Sequence, residues 1–230
     1  MVKFSTFKNT MINMLIHFLP TKFISFKHER NHRNNPSLWV NDDYFFLHIP
    51  KSGGTSVAKC IDRTESGHFK FSTLINKYPE IGSKKVYFFV VRNPIDRIIS
   101  TYTYVKDLHR KYGTSNLPEI EFSDSLDSYI INFLKNTNVN EHYFLRPFSE
   151  VVKGVPESKL YGINFEGLSS NVSDFYKDIL SQKINMPHSN KSTLRSDLYI
   201  SKESEKIIRQ KYKNDFDIYN KVKDHNYIRL

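Results

Sequence analysis

Cysteine is nearly missing from this 230-residue chain, and Cys60 stands alone. No intrachain disulfide can form, which fits a reducing compartment. No cysteine–histidine cluster has zinc spacing, and no internal repeat is visible. Long apolar runs are missing too. Met11–Leu19 is too short to cross a bilayer, and His17, Pro20 and Lys22 interrupt the region. The same stretch lacks the clean apolar core and small-residue cleavage site of a signal peptide. Residues 1–26 are expected to form a helix packed on the domain, with a membrane-surface helix as the alternative. Acidic residues are too few to balance the basic ones. Lys and Arg number 34 against 24 Asp and Glu, a formal charge of +10. That surface favours anionic lipid, anionic polysaccharide, a multi-phosphate nucleotide or nucleic acid. No basic tail with interleaved aromatics is present, so nucleic acid is not expected.

What remains is enough for one domain, with 39% hydrophobic and 14% aromatic residues. A polar, basic linker at Lys27–Ser37 separates an N-terminal extension, 1–40, from a domain at 41–230. The domain is organised around YFFLHIPKSGGTSVAKCI, Tyr44–Ile61. Tyr44–Leu47 reads as a buried strand, and Pro50 ends it because proline cannot donate to a ladder. Lys51, Ser52, Gly53, Gly54, Thr55 and Ser56 form a tight basic turn. A helix is expected over Val57–Ile61, capped by Thr55 or Ser56. A strand, a glycine turn and a helix start together make a phosphate-binding geometry. The other reading is a plain Gly-Gly turn. A standard Walker A places its lysine after the glycines; here Lys51 precedes them.

A second stretch, VYFFVVRNPIDRIISTY at Val86–Tyr102, repeats the plan. Val86–Val91 reads as another buried strand. Pro94 suits a helix's first turn, and Ile95, Ile98, Ile99 and Tyr102 follow at helical spacing. Arg92 then projects from the strand edge where ligands bind in open α/β sheets. Arg92 is read as a ligand contact and Arg97 as half of a structural salt bridge; surface charge is the alternative for both arginines. The expected fold is α/β with a mostly parallel sheet.

Together the two stretches resemble the sulfotransferases that use 3′-phosphoadenosine 5′-phosphosulfate (PAPS), of the carbohydrate, heparan 2-O-like type. P-K-S-G-G-T-S is similar to their phosphosulfate loop. Arg92, Pro94, Arg97, Ser100 and Tyr102 match R-x-P-x-x-R-x-x-S-x-Y, whose first Arg and Ser hold the 3′-phosphate of PAPS. The resemblance implies a P-loop-like three-layer α/β/α fold and sulfuryl transfer from PAPS, leaving PAP, without a metal. Gly67, His68 and Phe71 match a G-H-x-x-[FY] segment whose histidine is the family's base. His68 thus becomes the first choice among nine histidines, and its intrinsic pKa suits the role. Lys51 would stabilise the leaving phosphate. His142 and Arg146, in NEHYFLRPFSE, resemble a segment that approaches the acceptor; core or surface roles are the alternative. Phe165, Glu166 and Leu168 match F-E-x-L after a third strand at Leu160–Phe165, with Glu166 a structural acceptor. Met186–Ser192 resembles the family's L-P-H-x-N-x-S segment, which opens the loop over PAPS, and this implies cofactor contacts for Ser192, Lys191 and Arg195. Tyr212–Tyr219 resembles the family's closing Y-x-x-D-F-x-x-[FY], a packing element.

Three further helices are expected: Ser123–Lys135, capped by Ser123, one through Leu180 capped by Ser169 or Ser170, and Ser201–Tyr212. Leu108–Leu117 reads as irregular. The resemblance favours a sugar hydroxyl on a polysaccharide or glycoconjugate as acceptor, and a basic surface suits an anionic polymer. Animal carbohydrate sulfotransferases are usually Golgi membrane proteins with disulfides. This chain's single cysteine and lack of a clear anchor favour a soluble cytoplasmic enzyme, with peripheral membrane contact through residues 1–26 as the alternative. A nucleotide kinase and a non-catalytic nucleotide-binding protein stay open as other functions.

Overall fold

The computed structural model of the chain describes residues 43–61, 68–112, 124–186 and 198–230. The N-terminal extension lies outside them. Four strands form one sheet in the order β1 (Tyr44–Phe46), β2 (Val86–Val91), β3 (Leu160–Asn164) and β4 (Tyr227–Arg229). The first three run parallel, in a register pairing Phe46 with Phe88 and Val91 with Asn164. The last runs antiparallel, with Tyr227 opposite Ile163. Nothing in the sequence announces β4. It is a three-residue edge strand with only partial burial, so it carries no apolar run.

Period-two alternation divides the apolar strand residues between two cores. Phe45, Tyr87, Phe89, Val91 and Leu160 face one side with Phe71, Phe148, Val151 and Val222. Tyr44, Phe46, Phe88, Val90, Tyr161 and Ile163 face the other with Val57, Val172, Phe175 and Tyr176. Each face is covered by helices, which explains why these strands read as continuous apolar runs. The helices are α1 (Gly54–Cys60), α2 (Phe71–Lys77), α3 (Pro94–Tyr112), α4 (Phe148–Val152), α5 (Leu168–Leu180), α6 (Lys202–Lys211) and α7 (Lys213–Val222). This is the three-layer α/β/α arrangement around a mostly parallel sheet. Among the described residues, no helix is long and apolar enough to cross a membrane.

Several local expectations need correction. Helix α1 starts at Gly54 with Gly53 as its N-cap, ahead of Thr55 and Ser56. Gly53 adopts the left-handed region (φ 74°), and its carbonyl accepts from the Ser56 and Val57 N–H groups at 3.0 and 3.3 Å. Gly167 likewise caps α5 with φ 78°. Ser170 only donates back to the Gly167 carbonyl, and Ser169 reaches the Met186 carbonyl. Helix α3 continues through Leu108 to Tyr112, where an irregular stretch was expected. Asn93 anchors its start by accepting from the Ile95 N–H at 2.9 Å.

The helix expected over 123–135 changes pitch twice. It opens as α-helix at Leu126–Ser128, passes through a π-helical turn at Tyr129–Phe133, and ends as 3-10 helix at Leu134–Asn136. Its cap is Ser125, which accepts from the Ser128 N–H; Ser123 lies outside the described residues. The pitch changes still bury Leu126, Tyr129, Ile130 and Leu134 against α3 and α6.

Candidate active site

The C-terminal ends of β1 and β2 carry the glycine loop and Arg92 side by side. After β1 the Leu47 N–H still bonds to the Phe88 carbonyl at 2.8 Å. The chain then leaves the sheet and turns sharply. Lys51 (φ 62°) and Gly53 (φ 74°) both take left-handed backbone. Such a conformation costs a non-glycine residue roughly 1–3 kcal/mol and persists where surroundings enforce it. Arg92 supplies part of that enforcement, donating from Nη1 to the Lys51 carbonyl at 2.9 Å. Its guanidinium also stacks 4.3 Å from the Phe165 ring centre. Phe165 and Leu168 pack directly beneath the loop, because a Cβ at Gly53 would lie 2.6 Å from Leu168 Cδ2. The F-E-x-L stretch therefore supports the loop through Phe165 and Leu168. Glu166 contributes its backbone: its N–H donates to Asn164 Oδ1 and its carbonyl accepts from Asn171.

Among the described residues, Arg92 Nε, Arg92 Nη2 and Ser52 Oγ, all buried, have no hydrogen-bond partner. Arg92 is 3% exposed and Ser52 0%. Folded proteins satisfy most buried donors, and each exception calls for a cause. Burial pushes the Arg92 guanidinium down from its usual value, but an arginine keeps its charge in proteins. Ser100 is half-buried on α3, two turns from Pro94.

Lys51 points along α3. Its Nζ sits 4.0 Å from the centre of the Tyr104 ring. Burial first, then the Arg92 charge, lowers its pKa to about 8, while Asp107 opposes the shift. Thr55 is exposed and Ser56 half-buried on α1.

His68 stands on the far side of the loop, and His48 links the two. His68 Nδ1 lies 3.0 Å from the His48 carbonyl oxygen, and the two rings are 4.4 Å apart, edge to face. The His48 ring in turn covers Gly54, where a Cβ would come within 2.0 Å of it. Only glycine permits this approach. A carbonyl can only accept, so Nδ1 of His68 carries the proton and Nε2 carries the lone pair of the neutral ring. A second route joins His68 to Lys51 through aromatic rings: Tyr143 at 5.0 Å, Tyr143–Phe144 at 4.9 Å and Phe144–Tyr104 at 5.6 Å. His68 and Lys51 thus stand at the two ends of one aromatic wall.

The segment after Asn140 serves this arrangement structurally. His142 Nδ1 accepts from the Phe144 and Leu145 N–H groups, each at 3.2 Å, so that nitrogen is committed to its own turn. Arg146 donates to the carbonyls of His68 and Asn140. Arg97, expected in a salt bridge, is fully buried against Asp215. Ser192, Lys191, Arg195 and Gly67 lie outside the described residues. Among those described, no group of three or more His, Cys, Asp or Glu side chains could hold a metal ion.

Sequence reading missed His48, Tyr104 and Tyr143. His48 had a local signal, since it falls between the strand and Pro50 and must leave the sheet beside the loop. Tyr104 and Tyr143 had none, because only the tertiary fold brings them together.

No curated protein and no solved structure matches the chain. A family model does: the Sulfotransferase family matches residues 36–142, the span that holds the loop, His68, Arg92 and Ser100. Over that span the chain is similar to the sulfotransferase family.

Proposed function

We propose that the donor is PAPS and the acceptor a sugar hydroxyl on a polysaccharide or glycoconjugate. The reading is carried by Arg92 Nε, Arg92 Nη2 and Ser52 Oγ, which are buried without a hydrogen-bond partner among the described residues. An unsatisfied buried donor costs about 1–3 kcal/mol, and more when charged. Phosphate oxygens would satisfy all three, and arginine forks suit phosphate geometry. The residues present therefore fit the nucleotide.

PAPS, when bound, supplies a sulfuryl group already joined to a phosphate leaving group. The chain's residues do the rest. Arg92 and Ser100 hold the 3′-phosphate, which orients donor against acceptor. Lys51 and Ser52 face the charge that grows on the leaving phosphate. His68 Nε2 takes the acceptor proton as the new O–S bond forms and the S–O bond to phosphate breaks. A positive net charge favours an acceptor polymer that is itself anionic.

Calorimetric titration with PAP, against ATP, tests the donor. PAP is expected to bind in the micromolar range, ATP more weakly, and Arg92→Ala to lose PAP binding. Absent PAP binding, or a preference for ATP, would overturn the reading and bring a nucleotide kinase forward. A panel of acceptors, with His68→Ala as the inactive control, then tests turnover and separates an enzyme from a non-catalytic nucleotide-binding protein.

A further inference from the structure

We propose that Arg146 is the positioning residue of His68 rather than an acceptor-binding group; this deepens, and rests on, the reading of His68 as the base. Arg146 Nη1 donates to the His68 carbonyl at 2.9 Å and Nε to the Asn140 carbonyl at 3.0 Å. An arginine that grips a sulfate or carboxylate offers its planar fork to the ligand. This one spends its Nε–H and one Nη1–H on backbone, which leaves Nη2 and a single Nη1–H for anything else.

The bonds tie the His68–Lys70 segment to residues 140–146. A second tie lies beside them, Lys70 to Glu141 at 2.7 Å. Arg146 is itself anchored from behind, because its carbonyl accepts from Arg97 Nη1 at 3.1 Å. Arg97 is held by the buried Asp215. A chain of contacts thus runs from α7 through Asp215, Arg97 and Arg146 to the backbone of His68. Its effect on the imidazole is indirect. Fixing the His68 carbonyl fixes the peptide from which the ring projects, and so keeps Nδ1 on the His48 carbonyl. Release of that carbonyl lets the ring turn, the Nδ1–H bond lapses, and the two neutral tautomers mix. The fraction with its lone pair on Nε2 falls, and so does the rate.

Nitrogen-15 NMR of the histidine rings in the ligand-free full chain tests this without any substrate. Wild-type His68 is expected to show a protonated Nδ1 and an unprotonated Nε2. In Arg146→Gln the two nitrogens should move toward averaged shifts, and Arg146→Lys, which can reach one carbonyl but not both, should fall between. An unchanged His68 pattern in Arg146→Gln overturns the proposal. Thermal unfolding verifies that each variant folds; if Arg146→Gln does not, Arg146→Lys carries the comparison. Kinetics with PAPS and desulfated heparin as the probe acceptor give a second readout. Loss of positioning lowers kcat by about 10- to 100-fold with both KM values kept. A raised acceptor KM at unchanged kcat would make Arg146 an acceptor contact and overturn the proposal. If wild type neither binds PAP nor turns over PAPS, the functional reading fails, and the NMR comparison still decides the role of Arg146.

Discussion

Arg97 Nη2 lies 3.7 Å from Asp215 Oδ2, and neither side chain reaches solvent. The pair joins three parts of the fold. Asp215, on α7, accepts from the Phe148 and Ser149 N–H groups at 2.9 Å each and so caps α4. Arg97, on α3, donates to the Arg146 carbonyl at 3.1 Å. The Tyr212 hydroxyl completes the cluster on the Leu145 carbonyl at 2.7 Å. The closing Y-x-x-D-F stretch thus packs by charge as well as by apolar contact.

Removing one partner of such a pair leaves a buried charge without compensation. Asp215→Asn and Arg97→Met are each expected to destabilise the fold by roughly 3–5 kcal/mol, while the double variant should lose less than the sum. Urea unfolding monitored by circular dichroism measures this. Single-variant losses near zero would show that the ion pair has no part in holding the site.

The contact between His48 and Gly54 gives a sharper test, because it can be broken and relieved. A methyl group at position 54 would sit 2.0 Å from His48 Cδ2, a separation no pair of carbons tolerates. Gly54→Ala must therefore displace the His48 ring, which packs edge to face on the His68 ring. PAP binding is expected to weaken at least tenfold, about 1.4 kcal/mol. Adding His48→Ala removes the obstruction and should recover most of that binding. If the double variant binds no better than Gly54→Ala alone, the glycine is needed for the ligand and not for His48.

Much of this arrangement is legible in the sequence, for a physical reason. A parallel strand buried on both faces reads as an unbroken apolar run, so Tyr44–Phe46 and Val86–Val91 announce themselves. The residue that ends each run must lie at the sheet edge, which places the loop and Arg92 before any coordinates exist. Cap positions were harder. Thr55 and Ser169 have the right side chains, yet Gly53 and Gly167 take the caps because the chain must turn left-handed there to pack against its neighbours. The role of Arg146 was out of reach for another reason. Its partner, the His68 carbonyl, is 78 residues away and has no side-chain signature. Likewise, the π turn at Tyr129–Phe133 leaves the helical apolar spacing intact and so leaves no trace in the pattern.

Lys51 ties the site to pH. Its ammonium is held near pKa 8, chiefly by burial and then by Arg92. A bound phosphate group would place negative charge beside it and raise that value. Below pH 8 the lysine is charged with or without ligand, so its contribution to affinity is constant. Above pH 8 the free protein loses the proton and must regain it to bind. Affinity for PAP is therefore expected to fall as pH rises from about 8, approaching tenfold per unit as a one-proton linkage requires. The phosphates of PAP do not confuse the measurement, since their last proton leaves at about pH 6. Lys51→Arg should bind with little dependence between pH 7.5 and 9.5, its guanidinium being charged throughout, and Lys51→Met should bind weakly and equally flatly. Titrations at four pH values across that range decide it. A wild-type affinity that stays level to pH 9.5 would mean that the Lys51 ammonium is not what the nucleotide meets, and the leaving-group role would pass from Lys51 to Ser52 and the loop backbone.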